Sequence, residues 1–500
     1  MNKLTFLFIG TALLNFNFAI GQDDVRRSGQ ILRNAATSLR SRLPFLKKES
    51  REHAPQLGRI YSRAAQAHKH NNPIIVIPGI LGSRLVDQRT GEVVWGTVSL
   101  AQTRAFQRRG NTEIALPMAA GRQLRELRDD ITASEILDQL DVKVVGLPFS
   151  IKAYSDVLGT LGVGGYRSEA ASALGVVDYG DEHFTCFEFH YDWRRDCSEN
   201  AALLAKFIEQ KSAYVRQKRA EKFGESGQPV RFDIVAHSMG GLVARYYLRY
   251  GNQPLTSGRQ QPELNWAGAE HVETMVLVGT PNAGSVLALE EMVHGMQYSK
   301  AFPKYDAAVL GTMPSVYQLL PRARHRRVVQ EDTGDVLNPF DYRTWEQHGW
   351  GLLDPDQDPV LQTLLPGFDP ATRRQAAREH LQKCLYRAWQ FQRALDIPAS
   401  PPSGTDLFLV SGDSEMTATR LTAQRKALRI AEHGPGDGTV TRASTLMDER
   451  LGFAPADWTP RLQSPIRWAG TNFIFTDHLG LTSSPAFADN VLYLLLERPR

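Results

Sequence analysis

Hydrophobic and polar positions along this chain form short apolar runs, most of them followed by longer amphipathic segments. The apolar runs contain four to eight residues each and lie at 74–77, 185–191, 230–235, 271–278, 406–410 and 472–475. Their length and their β-branched and aromatic side chains predict buried strands. Apolar residues recur at helical spacing in the segments 200–222, 239–250 and 485–495. Strands that alternate with helices predict an α/β protein with a mostly parallel, doubly wound sheet.

Two long stretches, at about 97–165 and about 285–403, interrupt this alternation. The first holds an apolar-rich segment at 123–140 that predicts a helix, and we interpret the whole stretch as a cap rather than as sheet. The second is mostly helical, and its apolar residues between 292 and 320 fit either a mobile lid or helices packed on the sheet. We therefore expect one catalytic domain, at 73–500, that carries both insertions.

The amino terminus has the pattern of a secretory signal at 1–21. Lys3 is followed by an apolar region at 4–18 and by the small-x-small sequence Ala19-Ile20-Gly21. The apolar region is shorter than the roughly 20 residues of a membrane span. We therefore expect an exported protein, either periplasmic or extracellular.

A basic leader is predicted at 22–72, because eleven Lys and Arg face four acidic residues between positions 23 and 70. It is either an interfacial helix attracted to anionic lipid or a solvated arm.

The composition narrows the function classes. A net charge of +4 is too small for the chain to be a nucleic-acid binder. Three cysteines are too few for a disulfide framework, and the sequence leaves open whether Cys186 and Cys197 form a bridge or stay free. No residue spacing typical of a metal site occurs, so we expect neither a metal nor another cofactor.

The sequence FDIVAHSMGGL at 232–242 predicts a strand, a sharp turn that holds Ser238, and a helix. This is the context of a nucleophile elbow. Ala236 and Gly240, two residues before and after the serine, are small enough for the turn to close. The following helix directs its amino terminus at Ser238, and its free N–H groups favour an oxyanion there.

A serine nucleophile needs a base and an acid that orients the base, and in this fold they follow in the order Ser, acid, His. Asp437 lies between glycines in a turn, and His478 follows the last predicted strand. Asp413 and Asp477 are rival acids. We prefer Asp437, because Asp477 is adjacent to His478 and poorly placed to reach its Nδ1.

Two backbone N–H groups are needed to bind the developing oxyanion. We expect one from Met239, the residue after the nucleophile, and the other from Ile80, in the loop after the strand at 74–77.

Seven segments occur in one order along the chain: PIIVIPGILGSRL, FHYDWRRD, DIVAHSMGGLVARYYL, LVGTPNAGS, MPSVYQLLP, GDGTV and DHLGL. Together they resemble the lecithin:cholesterol acyltransferase-like family, which includes lysosomal phospholipase A and phospholipid:diacylglycerol acyltransferases. The resemblance implies an α/β-hydrolase fold with Ser238, Asp437 and His478 as the triad and Ile80 and Met239 as oxyanion donors. It also implies a cap with a lid over an acyl tunnel.

The resemblance further implies that Trp95 and the cap engage lipid. The chain departs from the family in two places. The GHSLGG-type elbow is AHSMGG here, and no cysteine precedes Cys186, so the cysteine-bridged membrane loop of the animal enzymes has no counterpart. Lipoprotein binding and a sterol acceptor are therefore not implied.

The sequence thus predicts a serine acyl hydrolase or O-acyltransferase that acts on glycerolipid or phospholipid esters through an acyl-enzyme, at a membrane or lipid interface. One alternative is an exported esterase for non-lipid esters. A catalytically silent lipid-binding protein is the other, and the intact Ser238, Asp437 and His478 argue against it.

Overall fold

The computed structural model of the protein describes residues 56–67, 71–98, 112–137, 139–144, 147–152, 154–256, 258, 260–297, 304–452 and 457–499. The segment 1–21 and most of the basic leader lie outside these residues, so the signal and the membrane-binding helix stay predictions. The part of the leader that is described forms two short helices, and Tyr61 between them donates a hydrogen bond of 2.7 Å to Asp489.

The strands of the described residues are, in chain order, β1 (Ile74–Ile77), β2 (Ser83–Asp87), β3 (Val93–Trp95), β4 (Thr97–Val98), β5 (Ile131–Ile136), β6 (Gln139–Val144), β7 (Leu147–Lys152), β8 (Cys186–Glu188), β9 (Phe232–His237), β10 (Val272–Val278), β11 (Val328–Gln330), β12 (Asp406–Gly412), β13 (Glu415–Gln424), β14 (Ala427–Gly436) and β15 (Gly470–Ile474).

The helices of the same residues are α1 (Leu57–Ile60), α2 (Ser62–Gln66), α3 (Ser155–Val163), α4 (Glu169–Ala173), α5 (Cys197–Phe223), α6 (Met239–Tyr250), α7 (Val286–His294), α8 (Ala307–Leu310), α9 (Pro314–Gln318), α10 (Tyr342–His348), α11 (Asp358–Leu364), α12 (Pro370–Asp396), α13 (Arg442–Leu446) and α14 (Pro485–Leu496).

Six parallel strands form the central sheet in the order β15-β12-β10-β9-β1-β8. Each contains part of one predicted apolar run. Alternate side chains of β1 enter two different clusters of buried residues, with Ile75 and Ile77 in one and Ile74 and Val76 in the other. The strand is apolar throughout because helices cover both faces of the sheet. The predicted α/β-hydrolase class, with a parallel sheet between helices, is confirmed.

The prediction of a helix at 123–140 is wrong. Only Leu124–Glu126 forms a single 3-10 turn, and Ile131–Ile136 is strand β5, antiparallel to β2. Side chains along the first four residues of β5 alternate between half-buried and exposed, which is the period of a strand and not of a helix. The described residues of 97–165 hold β4 to β7 and contribute no strand to the central sheet, so the stretch contains sheet despite our interpretation.

The apolar residues of the second insertion belong to the main core. Met292, Val309, Met313, Tyr317 and Leu320 are all buried there. Helix α9 is also fixed by polar contacts, since the Ser315 hydroxyl donates 2.6 Å to the Trp193 carbonyl. These residues therefore fit the packed-helix alternative better than the lid alternative.

Cys186, Cys197 and Cys384 are free and buried, so Cys186 and Cys197 are not bridged. In the part of the chain described above, no helix is both long and apolar enough to cross a membrane.

Candidate active site

Ser238 lies at the turn between β9 and α6, in a backbone conformation that few residues adopt. Its φ is 53° and its ψ is −128°. Such a conformation costs about 1–3 kcal/mol and persists only where the surroundings enforce it. Gly240 contributes to these surroundings, because it packs so closely that a Cβ there would overlap the Pro78 carbonyl oxygen. The elbow is thus packed directly against the loop that follows β1.

The structure brings the three predicted residues Ser238, His478 and Asp437 into one hydrogen-bonded line. The distance from His478 Nδ1 to Asp437 Oδ2 is 2.7 Å, and that from His478 Nε2 to Ser238 Oγ is 2.9 Å. An ionised carboxylate only accepts, so Nδ1 carries the proton and donates it to Asp437. Nε2 then holds the lone pair that accepts the serine hydroxyl. This arrangement can remove the proton from Ser238.

Asp437 is held in place by the turn that follows β14. Its Oδ1 accepts from the backbone N–H groups of Thr439, at 3.0 Å, and Val440, at 2.7 Å, which leaves Oδ2 for His478. The rival acids have other partners. Asp413 binds Arg442 at 2.7 Å, and Asp477 accepts from the Gly480 N–H at 2.7 Å.

The two predicted oxyanion donors belong to the two segments that meet at the serine. A Cβ on Gly79 would come within 2.7 Å of the Ser238 Cβ, so the loop before Ile80 lies against the nucleophile. Met239 is the first residue of α6. Among the described residues, the backbone N–H groups of Ile80 and Met239 have no hydrogen-bond acceptor. Both are therefore free to donate to a bound oxyanion.

Three aromatic side chains hold the carbonyl groups of this loop, and sequence reasoning assigned none of these contacts. Trp95 Nε1 donates to the Leu81 carbonyl at 2.8 Å, and the Tyr191 hydroxyl to the Pro78 carbonyl at 2.9 Å. Trp193 Nε1 donates to the Ser83 carbonyl at 3.1 Å. Tyr191 and Trp193 lie in the segment FHYDWRRD, which sequence analysis singled out without predicting their hydrogen-bond partners.

Trp95, predicted to engage substrate, is only 7% exposed and packs edge-on against Trp193 at 5.6 Å between ring centroids. In the structure it supports the loop, and its predicted contact with lipid stays a prediction.

His237, next to the nucleophile, is buried and does not face the serine hydroxyl. Its Nε2 lies 3.1 Å from the His478 carbonyl oxygen. Burial, together with the neighbouring His478, lowers the pKa of His237 to about 3. The ring is therefore neutral at ordinary pH.

A surface groove of about 690 Å³ elsewhere in the molecule is lined by residues that include Phe340, Tyr386 and Trp389, and none of the predicted site residues lines it. Within the described ranges, no group of three His, Cys, Asp or Glu side chains is arranged to hold a metal ion.

Comparison with known proteins places this geometry in context. Residues 164–347 match the family model described as lecithin:cholesterol acyltransferase. No curated protein sequence matches the chain.

Among solved structures, a chain of the Tle4–Tli4 complex is similar, with 16% identity and a TM-score of 0.54 over 85% of this chain and 98% of that one. The mature lipase BlEst2 of Bacillus licheniformis has 13% identity and a TM-score of 0.28, over 90% of this chain and 96% of its own. Lipase 1 of Pelosinus fermentans has 13% identity and a TM-score of 0.29, over 66% and 91%.

The first of these likenesses shows a shared fold. The family match supports, in general terms, an enzyme that hydrolyses lipid esters or transfers their acyl groups. The predicted resemblance is thereby confirmed: this protein has the α/β-hydrolase fold, and its residues 164–347 match the lecithin:cholesterol acyltransferase family model.

Proposed function

We propose that this protein is a serine acyl hydrolase or O-acyltransferase that cleaves glycerolipid esters, phospholipids among them, through an acyl-enzyme on Ser238. The observation that carries the proposal is the hydrogen-bonded line from Asp437 through His478 to Ser238, with two unpaired backbone N–H groups beside the serine. The family match supports lipid esters in general as the substrate class.

In the first half of the reaction, Ser238 Oγ attacks the ester carbonyl while His478 Nε2 takes its proton. Negative charge develops on the carbonyl oxygen, where the N–H groups of Ile80 and Met239 stabilise it without prior reorganisation. Asp437 stabilises the imidazolium form of His478. Collapse of the intermediate returns the proton from His478 to the departing alcohol and leaves the acyl group on Ser238.

In the second half, His478 takes a proton from water or from an acceptor alcohol, which attacks the acyl-enzyme. Water gives a free fatty acid and an alcohol gives a new ester, and both regenerate Ser238. The same residues serve both outcomes, so the choice depends on how well the cap positions an alcohol against water. No cofactor takes part in this scheme.

The serine assignment is tested with Ser238→Ala and a fluorophosphonate probe. The native protein is expected to take up one phosphonyl group on Ser238 with loss of fluoride, and Ser238→Ala to take up none. Ester turnover by the variant is expected to fall at least about a thousand-fold, because His478 and Asp437 cannot act without the nucleophile. Ser483→Ala, an exposed serine close to His478 in the chain, is the matched control and should label and turn over normally. Retained turnover in Ser238→Ala would contradict the proposal.

The substrate assignment is tested with phosphatidylcholine vesicles, with and without added diacylglycerol or sterol, while the acyl group is followed. Free fatty acid in equal amounts with and without the added alcohol identifies a hydrolase. A neutral ester that grows with the alcohol identifies an acyltransferase. Cleavage of short soluble esters alone would replace the lipid substrate with a non-lipid ester.

We also propose export, on the strength of the signal pattern at 1–21. Expression of the full chain in a secreting host, followed by amino-terminal sequencing, should give a mature protein that begins at Gln22. An intact Met1 on protein retained inside the cell would contradict export.

A further inference from the structure

Four residues from distant parts of the chain form a buried line of hydrogen bonds behind the candidate site. The Gly79 N–H lies 2.7 Å from the Tyr154 hydroxyl oxygen, which lies 2.9 Å from His237 Nδ1. His237 Nε2 lies 3.1 Å from the His478 carbonyl oxygen. We call Tyr154 and His237 the tyrosine–histidine pair. It connects the loop that carries Ile80 with the backbone of the proposed base.

The proton positions along this line follow from its two ends. The His478 carbonyl can only accept, so His237 Nε2 carries the proton and donates it. The ring is neutral, so Nδ1 is an acceptor and the Tyr154 hydroxyl donates to it. The phenolic oxygen then accepts from the Gly79 N–H. Every donor on the line has an acceptor, and no alternative arrangement satisfies both ends with a neutral ring.

Burial makes this line costly to break. Tyr154 is 3% exposed and His237 is 4% exposed. Loss of the phenolic hydroxyl would leave the Gly79 N–H and His237 Nδ1 unpaired, and a buried polar group without a partner destabilises the folded state. Gly79 lies against Ser238 and directly precedes Ile80. A shift of this peptide would therefore move the oxyanion donor relative to the nucleophile.

Because His237 is neutral, it does not repel the positive charge that develops on the neighbouring His478. The two ring centroids are 4.8 Å apart, and the groups that face His237 are Tyr154, His478 and Asp437. When His478 becomes an imidazolium during the reaction, a second cation at this distance would oppose it. A neutral ring that donates to the His478 carbonyl does not.

We propose that Tyr154 and His237 are positioning residues. They hold the loop that carries Gly79 and Ile80, which we call the oxyanion loop, and His478 in a fixed mutual arrangement while charge develops on the substrate carbonyl oxygen and on His478. Neither touches the reacting atoms. The inference rests on the proposed function, because it assigns the pair to the same serine chemistry.

The test is Tyr154→Phe in the full chain, assayed with a soluble ester and a fluorophosphonate. The variant keeps the ring and loses only the hydroxyl. We expect kcat to fall about 10- to 100-fold, less than the loss on deleting an oxyanion donor itself, with KM changed less than about threefold. The rate of phosphonylation, which forms a tetrahedral centre at Ser238, should fall by the same factor as kcat.

Tyr250→Phe is the matched control, since its buried hydroxyl donates to the Ala394 carbonyl at 2.7 Å, away from the site. It should lose comparable thermal stability and keep the native kcat and phosphonylation rate.

A second variant, His237→Gln, replaces the ring that bonds to both Tyr154 and the His478 carbonyl. It provides the test if Tyr154→Phe does not fold. The double variant should be no slower than the slower single variant, because both act through one line of hydrogen bonds. Native kcat and phosphonylation in a folded Tyr154→Phe, or additive losses in the double variant, would overturn the inference. Those results would leave the proposed function intact. Full turnover in Ser238→Ala would contradict both the proposed function and this inference.

Discussion

Single backbone positions decide whether Ser238 can face its partners. The serine has a positive φ of 53°, and Leu81, in the loop opposite, has another at 64°. Both are non-glycine residues in a region that side chains disfavour, and they occur where the elbow and the oxyanion loop meet. Gly240 allows that meeting, because it has no side chain between α6 and the Pro78 carbonyl.

Gly240→Ala is therefore expected to reduce turnover at least about a hundred-fold, since a displacement of about 1 Å at a site is enough for such a loss. The added methyl meets a backbone oxygen, which no side-chain rotation can move away. Overpacking should also lower the free energy of unfolding by about 1–3 kcal/mol. Turnover and urea unfolding measure the two effects.

Gly159→Ala in α3 is the control, since no heavy atom lies within 4 Å of the new methyl group. It should raise stability by about 0.5–1 kcal/mol and leave turnover unchanged. Native turnover in Gly240→Ala would show that the elbow tolerates displacement.

At the scale of elements, a buried histidine of helix α12 connects two parts of the second insertion. His380 Nε2 donates to the Thr312 carbonyl at 2.9 Å, and its Nδ1 has no partner among the described residues. Burial lowers the pKa of His380 to about 4. The helix thus carries a group that cannot be protonated without cost.

This lowered pKa predicts loss of stability in acid. Between pH 6.5 and about 4 the unfolded chain binds a proton at this position and the folded chain does not, so the free energy of unfolding falls as the pH falls. The slope per histidine is about 1.4 kcal/mol per pH unit. Urea unfolding at pH 7 and pH 5 should show a smaller fall in His380→Gln than in the native protein. Equal falls in both would contradict the assignment.

At the scale of the whole molecule, one fully buried arginine connects the first insertion to the sheet. Arg194 follows β8 and binds Asp192 at 2.7 Å and Asp129 at 2.7 Å. It also donates to the Ile114 carbonyl at 3.3 Å. The exposed pair of Arg420 and Glu432 has a similar distance, 2.8 Å, but connects only neighbouring strands.

Arg194→Met should lower the free energy of unfolding by about 3–5 kcal/mol, because it leaves two carboxylates near the core without their cation. Arg420→Met should cost no more than about 1 kcal/mol, since water and salt screen the exposed pair. Urea midpoints of the two variants at pH 7 give the comparison. Equal midpoints would mean that the insertion is held by apolar packing alone.

The local pattern of the chain was enough to predict the central sheet and the candidate site. Buried parallel strands need continuous apolar runs, and all six runs became strands of the sheet. Ser238 and His478 each follow a strand of this sheet, and the order Ser, Asp, His pointed to Asp437 as the acid between them in the chain. Their catalytic roles stay a prediction until the variants are measured.

Only the tertiary structure decided what surrounds these residues. Strand β5 was mistaken for a helix because its partner β2 is more than 40 residues earlier in the chain, and the pattern of a half-buried strand depends on that partner. The hairpin of β13 and β14, which delivers Asp437 to His478, was missed altogether.

The contacts that hold the oxyanion loop were hidden for the same reason. Tyr154 is 75 residues from Gly79 and 83 from His237, which is itself 241 from His478. The sequence determined the fold and the residues whose chemistry suits them to catalysis. Their support depends on contacts between segments that have no local pattern in common, and such contacts exist only once the chain has packed.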